Sequence, residues 1–575
     1  MLLKKDATDQ KINGRYFTPQ PIAQYITRWA LDQPNVQTVL EPSCGDGVFL
    51  RCIAEEQQNK DIRTVAIEID ELFSKKAATF EDNINWFDKW EAFNNTNDSI
   101  QNEQSRISVI NDDFYVAYKE GLDDRKFQAI VGNPPYIRYQ YLSEGQREEQ
   151  SWILVSNGMH SNKLINAWVS FTVACVSCMD ENSRIGLVVP AELLQVKYSE
   201  DLRQYLLQKL NKLTIITFES LVFEGIEQEV VLLLGEKIAN SNSHQIRIIQ
   251  CNAADDLPSI SDLKDIDYFD EEKDAVRKWT RYFLDQQQEK LLHRLERDKR
   301  FIKFSKIAKV EVGITTGNNK YFCVDNDTVE KYDLKPYCRP LIARSVNIRG
   351  ASFTQEDWQY NIQNGARTYL LDLTPHSFSD LNEGTKRYIE YGVSAEQNTT
   401  YKCQIRDEWY KVPSVWPPEA FFLRRNYLYP KFMLNSPEVT AVSTDTMHRV
   451  RFKRDNIEKR AIVAYYNSLA LTYTEIEGRS YGGGVLEILP GEASKILMPD
   501  IFDPQIINDE KIEELVHIID DYIREHDDIQ ELLDITDNAV LIDIMHMSVN
   551  EVMTIRNSWL KLRGRRLSRG GHEEF

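Results

Sequence analysis

The segment of this chain best suited to chemistry is Asn133-Pro134-Pro135-Tyr136. It follows the apolar run Phe127–Val131, and its consecutive prolines remove two N–H donors and hold the backbone extended. The Asn133 side-chain oxygen and the Pro134 carbonyl then stand as two rigid acceptors beside an aromatic ring. Such a pair can grip an –NH2 group. A second constellation is Glu41-Pro42-Ser43-Cys44-Gly45-Asp46-Gly47, which follows the run Val36–Leu40. Two glycines in a strand-to-helix turn let a ligand approach the backbone, where the N–H groups of the helix start face it. Glu68 comes 21 residues after Gly47, at the end of Val65-Ala66-Ile67-Glu68. A carboxylate there can accept from both ribose hydroxyls of an adenosine ligand. The third glycine of the dinucleotide fingerprint is absent, which disfavours a nicotinamide or flavin nucleotide. Taken alone, the turn and the glutamate fit a plain surface turn and an unrelated carboxylate equally well.

These groups need a scaffold that presents strand ends to one cleft. Apolar runs suited to buried parallel strands occur at Val36–Leu40, Thr64–Ile69, Ile107–Ile110, Phe127–Val131, Ile185–Val189, Leu213–Phe218 and Val230–Leu234. Helical patterns lie between several of them, at Pro21–Leu31, Phe49–Gln57, Leu164–Met179 and Leu202–Leu210. Short apolar strands alternating with helices predict an α/β, doubly wound, Rossmann-like sheet, whose ligands sit at the carboxyl ends of central strands. We therefore expect a catalytic domain over 1–245, then a charged helical connector over 246–300. Residues 301–505 turn irregular, with many aromatics and turn signals such as Thr316-Gly317-Asn318-Asn319, and predict an α+β domain. Residues 506–575 return to helix, with Ile512, Leu515, Val516 and Ile519 at helical spacing, and end in a basic tail.

With both constellations in place, the chain resembles the amino-methyltransferases that use S-adenosylmethionine. Gly14-Arg15-Tyr16-Phe17-Thr18-Pro19, ahead of the glycine turn, is similar to the opening motif of the gamma (TaqI-type) class of DNA adenine-N6 methyltransferases. The motif order matches that class, in which a target-recognition domain trails the catalytic one. The resemblance covers about 1–240, and continues more weakly in Val312–Lys320 and Arg479–Gly484. It implies that Thr18 and the Glu41–Gly47 turn (Glu41, Ser43, Cys44, Gly45 and Gly47) hold the methionine end of the cofactor, and Glu68 its ribose. It implies that Asp113 and Phe114 contact and flank the cofactor's adenine. Asn133 and Pro134 would bind the target amino group, Tyr136 would stack on the extruded base, and Phe223 would pack its other face.

The exocyclic nitrogen of adenine is a poor nucleophile because its lone pair is delocalised into the ring. Two acceptors drawing on its hydrogens would favour a tetrahedral nitrogen, with the lone pair aimed at the sulfonium methyl. That is positioning and electrostatic preorganisation, with no metal. The base must leave the duplex at a cost of a few kcal/mol, and stacking returns about 1–3 kcal/mol per aromatic contact.

Composition bounds the remaining readings. The 575 residues are 42% hydrophobic and 27% charged, ordinary for a globular chain of roughly two to four domains. No apolar run reaches the ~18–20 residues a membrane span needs, and the start MLLKKDATDQ has no apolar signal core. Eight irregularly spaced cysteines suggest reduced thiols and a cytoplasmic setting. Cys175 and Cys178 form a CxxC inside an apolar helical run, which marks them as core. The net charge of −20 conceals a split, because residues 301–500 carry 26 Lys+Arg against 24 Asp+Glu. Phosphate binding depends on local field, which screening limits to about 8–10 Å. Double-stranded DNA therefore remains a partner. Arg406, Arg424, Arg425, Lys431, Arg449, Arg451, Lys453 and Arg454, interleaved with Trp409, Trp416, Tyr427 and Tyr429, are candidate contacts, Arg424 and Arg425 foremost.

The tail Lys561–Arg569 holds five basic residues and either touches phosphate or forms a free terminus. Pro499-Asp500 followed by Asp509-Glu510-Lys511 mimics a metal-dependent nuclease pattern, but its lysine opens a helix. The chain starts almost at the cofactor motif, with no room for a leading nuclease domain. The expectation is a site-specific adenine-N6 methyltransferase of a restriction-modification system, with a cognate restriction endonuclease as a candidate partner. Two rivals are an amino-methyltransferase acting on RNA or protein glutamine, and a non-catalytic DNA-binding subunit.

Overall fold

The computed structural model describes residues 16–57, 61–81, 83–96, 106–219, 229–271 and 278–568. Two compact units share the chain, Met1–Phe283 and Leu284–Phe575.

The first unit is built on a ten-stranded sheet. In chain order its strands are β1 (Thr38–Glu41), β2 (Arg63–Glu68), β3 (Ile84–Phe87), β4 (Ile107–Asn111), β5 (Phe127–Gly132), β6 (Met179–Pro190), β7 (Lys212–Phe218), β8 (Val230–Lys237), β9 (Gln245–Cys251) and β10 (Phe269–Asp270). Their spatial order is β10-β9-β7-β8-β6-β5-β1-β2-β4-β3. The six strands β1 to β6 pair in parallel, so their carboxyl ends share one edge. The order reverses between β1 and β5, which makes the crevice beside them the natural ligand position. Val39, Leu40, Ile130 and Val131 are fully buried there, as strands covered on both faces must be.

The helices α1 (Gln20–Leu31) and α2 (Val48–Glu56) lie within a residue or so of their expected bounds. Cys175 and Cys178 are buried core, in and just after the helix Ala167–Ser177.

Two expectations for this unit are corrected. Val230–Leu234 is not a parallel strand: β8 inserts antiparallel between β6 and β7. Only eleven residues separate Phe218 from Val230, too few for the usual helical crossover between parallel neighbours. Residues 246–300 are not one helical connector either. Gln245–Cys251 joins the sheet parallel to β7, and the boundary between the units falls at 283/284. Arg247 makes this strand look charged, yet it is 4% exposed. Its guanidinium lies 4.0 Å from the Tyr268 ring and donates to Thr214.

The second unit is α+β, as expected. Its five-stranded sheet runs Ala308–Val312, Met447–Phe452, Ala420–Leu423, Phe432–Asn435, Ser352–Phe353 in spatial order, with smaller sheets beside it. Phe421, Met433 and Met447 of this sheet join a core with Tyr321, Phe322 and Leu370. The helices Ser468–Glu477, Asp509–Glu525 and Val549–Ser568 complete the unit. Lys511 stands in the first turn of the second of these, capped by Asn508, and not on a paired strand. The basic tail is corrected too. Arg563 and Arg566 are 6% and 1% exposed, engaged with Asp528 and Glu475, so they are structural cations.

Candidate active site

Four strand ends, those of β1, β2, β4 and β5, build the site. At the end of β1 the chain turns through Gly45 (φ +53°) and Gly47 (φ +83°), left-handed conformations that favour glycine. A Cβ at Gly47 would also stand 3.1 Å from the backbone of Ala77, so the turn packs against the helix Glu71–Ala77. At the end of β2, Glu68 fastens the turn: its carboxylate accepts the Gly45 N–H and the Asp70 N–H, each at 2.9 Å. Glu41 lies 1% exposed, and neither of its carboxylate oxygens has a hydrogen-bond partner among the described residues. Burial, and then the charges of Glu68 and Asp46, push its pKa well above the carboxylate range.

Asp113 caps the short helix Phe114–Ala117 through the Tyr115 N–H, and its other oxygen accepts from Gln146 at 2.7 Å. Burial raises its pKa against these hydrogen bonds. Phe114 stacks on Phe171 with centroids 4.4 Å apart, forming an apolar wall.

Asn133 follows β5. Its side-chain amide donates to the Tyr16 carbonyl at 2.7 Å and to the Thr18 hydroxyl at 3.1 Å. A carbonyl can only accept, so the atom facing Tyr16 is the amide nitrogen, and this settles which way the amide is turned. Asn133 Oδ1 is buried and has no hydrogen-bond partner among the described residues. Ser43 donates to the Asn133 main-chain carbonyl at 3.1 Å, tying the first strand's turn to the fifth strand's end.

One cavity gathers these groups. Of the residues expected from sequence, Ser43, Gly45, Glu68, Asp113, Phe114 and Asn133 line it. Thr18, Glu41, Cys44, Gly47, Pro134 and Tyr136 are close in sequence to the lining but do not form it. Cys44 is buried, with its N–H on Ile67. Tyr136 is 8% exposed; its hydroxyl donates to the Val188 carbonyl at 3.1 Å, and its ring lies 5.1 Å from that of Tyr16. Phe223 lies outside the described residues. Arg424 and Arg425 stand in the second unit, both beside Glu487, at 2.9 and 3.7 Å. Sequence reasoning missed Gln146, Phe171 and Phe73 as lining residues. The box Ser143-x-x-Gln146 signalled a helix start but not a partner for Asp113, and Phe171 looked like any core residue of an apolar helix.

Residues 21–223 match the family described as Eco57I restriction-modification methylase. Residues 276–541 match the one described as Type II methyltransferase M.Eco57I, C-terminal domain. Type II methyltransferase M.AccI of Acinetobacter calcoaceticus is 23% identical over 528 residues, which cover 88% of this chain and 89% of that protein. The chain is a restriction-modification methyltransferase. Type II methyltransferase M.HincII of Haemophilus influenzae is similar to this methyltransferase over a shorter stretch, 27% identical over 250 residues covering 43% of this chain and 41% of that one. The fold recurs in the structure of the Type IIL restriction-modification enzyme MmeI in complex with DNA, with a TM-score of 0.53 at 12% identity, over 92% of this chain and 73% of that one.

Methyltransferases of this kind act on DNA, and S-adenosylmethionine is the methyl donor. The cavity fits that donor. It offers a carboxylate at the end of β2, an apolar wall of stacked rings, and, at its margin, a buried acceptor without a partner among the described residues. Among the described residues no helix is long and apolar enough to cross a membrane.

Proposed function

We propose that this methyltransferase transfers a methyl group to the exocyclic N6 of an adenine turned out of duplex DNA at a specific site. The observation that carries the reading is the Asn133 amide: both its N–H groups are held within the protein, and its buried oxygen has no donor among the described residues. Because Asn133 lines the cavity, a ligand's N–H is the donor proposed for this oxygen. The Asn133 oxygen and the Pro134 carbonyl accept the two amino hydrogens and favour a tetrahedral nitrogen. S-adenosylmethionine, when bound, supplies an electrophilic methyl on a sulfonium. Glu68 holds the ribose hydroxyls, Phe114 and Asp113 flank the cofactor's adenine, and the Ser43–Gly47 turn receives the methionine end.

Tyr136 is the stacking partner proposed for the extruded base, and Tyr16 is the ring now lying over it. Phe223 is proposed for the base's opposite face. In the second unit, Arg425 is the more exposed of the Arg424–Arg425 pair and suits a phosphate contact. Arg451, exposed and 4.3 Å from the Trp416 ring, adds a second basic and aromatic contact, whereas Arg449 is buried and held by the Val312 and Ser414 carbonyls. A cytoplasmic setting and a companion restriction endonuclease complete the proposal.

The test is transfer of labelled methyl from S-adenosylmethionine to mixed DNA, RNA and protein, followed by digestion of the DNA. We expect label in DNA alone, recovered as N6-methyldeoxyadenosine. Label in cytosine, RNA or protein glutamine overturns the reading. A separate expectation concerns Glu68. In Glu68→Gln an –NH2 faces the Gly45 or Asp70 N–H, so one buried donor loses its acceptor at about 1–3 kcal/mol. Affinity for S-adenosylmethionine falls about ten- to a hundredfold by calorimetry. An unchanged affinity removes Glu68 from the cofactor site.

A further inference from the structure

The resemblance that gave Thr18 to the cofactor does not account for the contact its hydroxyl makes. Thr18 is 7% exposed and does not line the cavity, and its Oγ1 accepts an N–H of Asn133 at 3.1 Å. The second N–H of the same amide is held by the Tyr16 carbonyl at 2.7 Å. With both hydrogens engaged, a half-turn of the amide would bring Oδ1 against the Tyr16 carbonyl oxygen, acceptor against acceptor. The Tyr16 carbonyl therefore selects a single orientation, the one in which Oδ1 is left for a ligand, and the Thr18 hydroxyl helps to hold the amide there.

We infer that Thr18 is a positioning residue for methyl transfer: its hydroxyl, with the Tyr16 carbonyl, locks the Asn133 amide so that Oδ1 accepts from the target amino group. This rests on the adenine-amino reading above and extends it to a residue outside the reacting pair. A threonine hydroxyl is fit for the task because its β-branched carbon restricts χ1, so the acceptor stays in place. The other side of Asn133 is held through its main chain, by Ser43. Removing the hydroxyl leaves one amide hydrogen buried without an acceptor. The amide then gains rotational freedom about its last torsion, and a group misplaced by a fraction of an ångström loses much of its effect.

The decisive variants are Thr18→Val, which keeps the shape and loses the hydroxyl, and Thr18→Ser, which keeps the hydroxyl. Turnover at saturating S-adenosylmethionine and cognate duplex is measured beside KM and calorimetric affinity for S-adenosylmethionine, with Asn133→Ala as the control and thermal melting to confirm folding. We expect Thr18→Val to lower kcat about ten- to a hundredfold, and KM and affinity for the cofactor to move less than about threefold. Thr18→Ser should return kcat to within about threefold of the parent. If Thr18→Val instead weakens cofactor binding at unchanged kcat, Thr18 is a cofactor ligand and the inference is overturned. It is equally overturned if Thr18→Val matches the parent in both, or if Thr18→Ser fails to restore kcat. Failure of the underlying reading looks different: Asn133→Ala itself would retain transfer. If Asn133→Ala loses transfer while Thr18→Val keeps kcat, the reading stands and only the positioning role falls.

Discussion

Asn133→Ala is expected to lose methyl transfer by about 10²–10³-fold while keeping its fold and its affinity for S-adenosylmethionine. On the proposed function the residue contributes one thing the reaction needs, a buried acceptor for the target amino group, and its amide hydrogens are engaged internally. Truncation leaves the Tyr16 carbonyl and the Thr18 hydroxyl without the amide, a stability cost of about 1–3 kcal/mol that a domain of this size absorbs. Binding and turnover should therefore separate: calorimetry with the cofactor resembles the parent, whereas single-turnover transfer to a cognate duplex collapses. Asn133→Asp makes the complementary point. It retains an acceptor oxygen but sets a second one against the Tyr16 carbonyl, so its turnover falls as well. Full activity in Asn133→Ala would falsify the mechanism at its centre.

The second large effect is on stability. Arg566 and Glu475 are 1% and 2% exposed and meet through two hydrogen bonds, at 2.9 and 2.7 Å. The Arg566 guanidinium also donates to the carbonyls of Tyr427 and Gly484, at 2.5 Å each. Four acceptors satisfy one buried cation, which is what a charge taken out of water requires. Arg566→Met strands the Glu475 carboxylate in the interior and should cost about 3–5 kcal/mol. For a unit of this size the melting transition then drops by about 10 °C. Pairing it with Glu475→Leu removes both charges and should recover much of the loss, because the penalty lies in the unpaired partner. A single variant that melts within a degree of the parent contradicts this account.

What could be read before the structure follows from where information lies in a chain. Glu68 and Asn133 could be placed because parallel strands end at one edge, so residues that close apolar runs are brought together by topology, whereas Asp113 was reached only through the family resemblance. Strand direction is not written in periodicity, and β8 looked like its parallel neighbours until its pairing with β6 and β7 was seen. Gln245–Cys251 was hidden by Arg247, whose charge suggests solvent but whose guanidinium is buried on Tyr268. The same substitution of interior for surface misled the reading of Arg563 and Arg566, because sequence shows the cation and not the acid brought to it from far along the chain. At the site itself, Thr18 and Asn133 were both singled out, but their contact spans 115 positions and no local pattern announces it.

The firmer of the two grips on Asn133 comes from a main-chain oxygen, that of Tyr16. No exchange of side chain at position 16 can abolish it, yet a deletion that removes this stretch of backbone takes it away whole. A shortened paralogue that began at α1 would keep the glycine turn, the acidic strand end and the asparagine–proline corner, and motif inspection would pass it as competent. At the bench it would be an idle scaffold, lacking both the oxygen that aims its asparagine and the Tyr16 and Phe17 wall of its cavity.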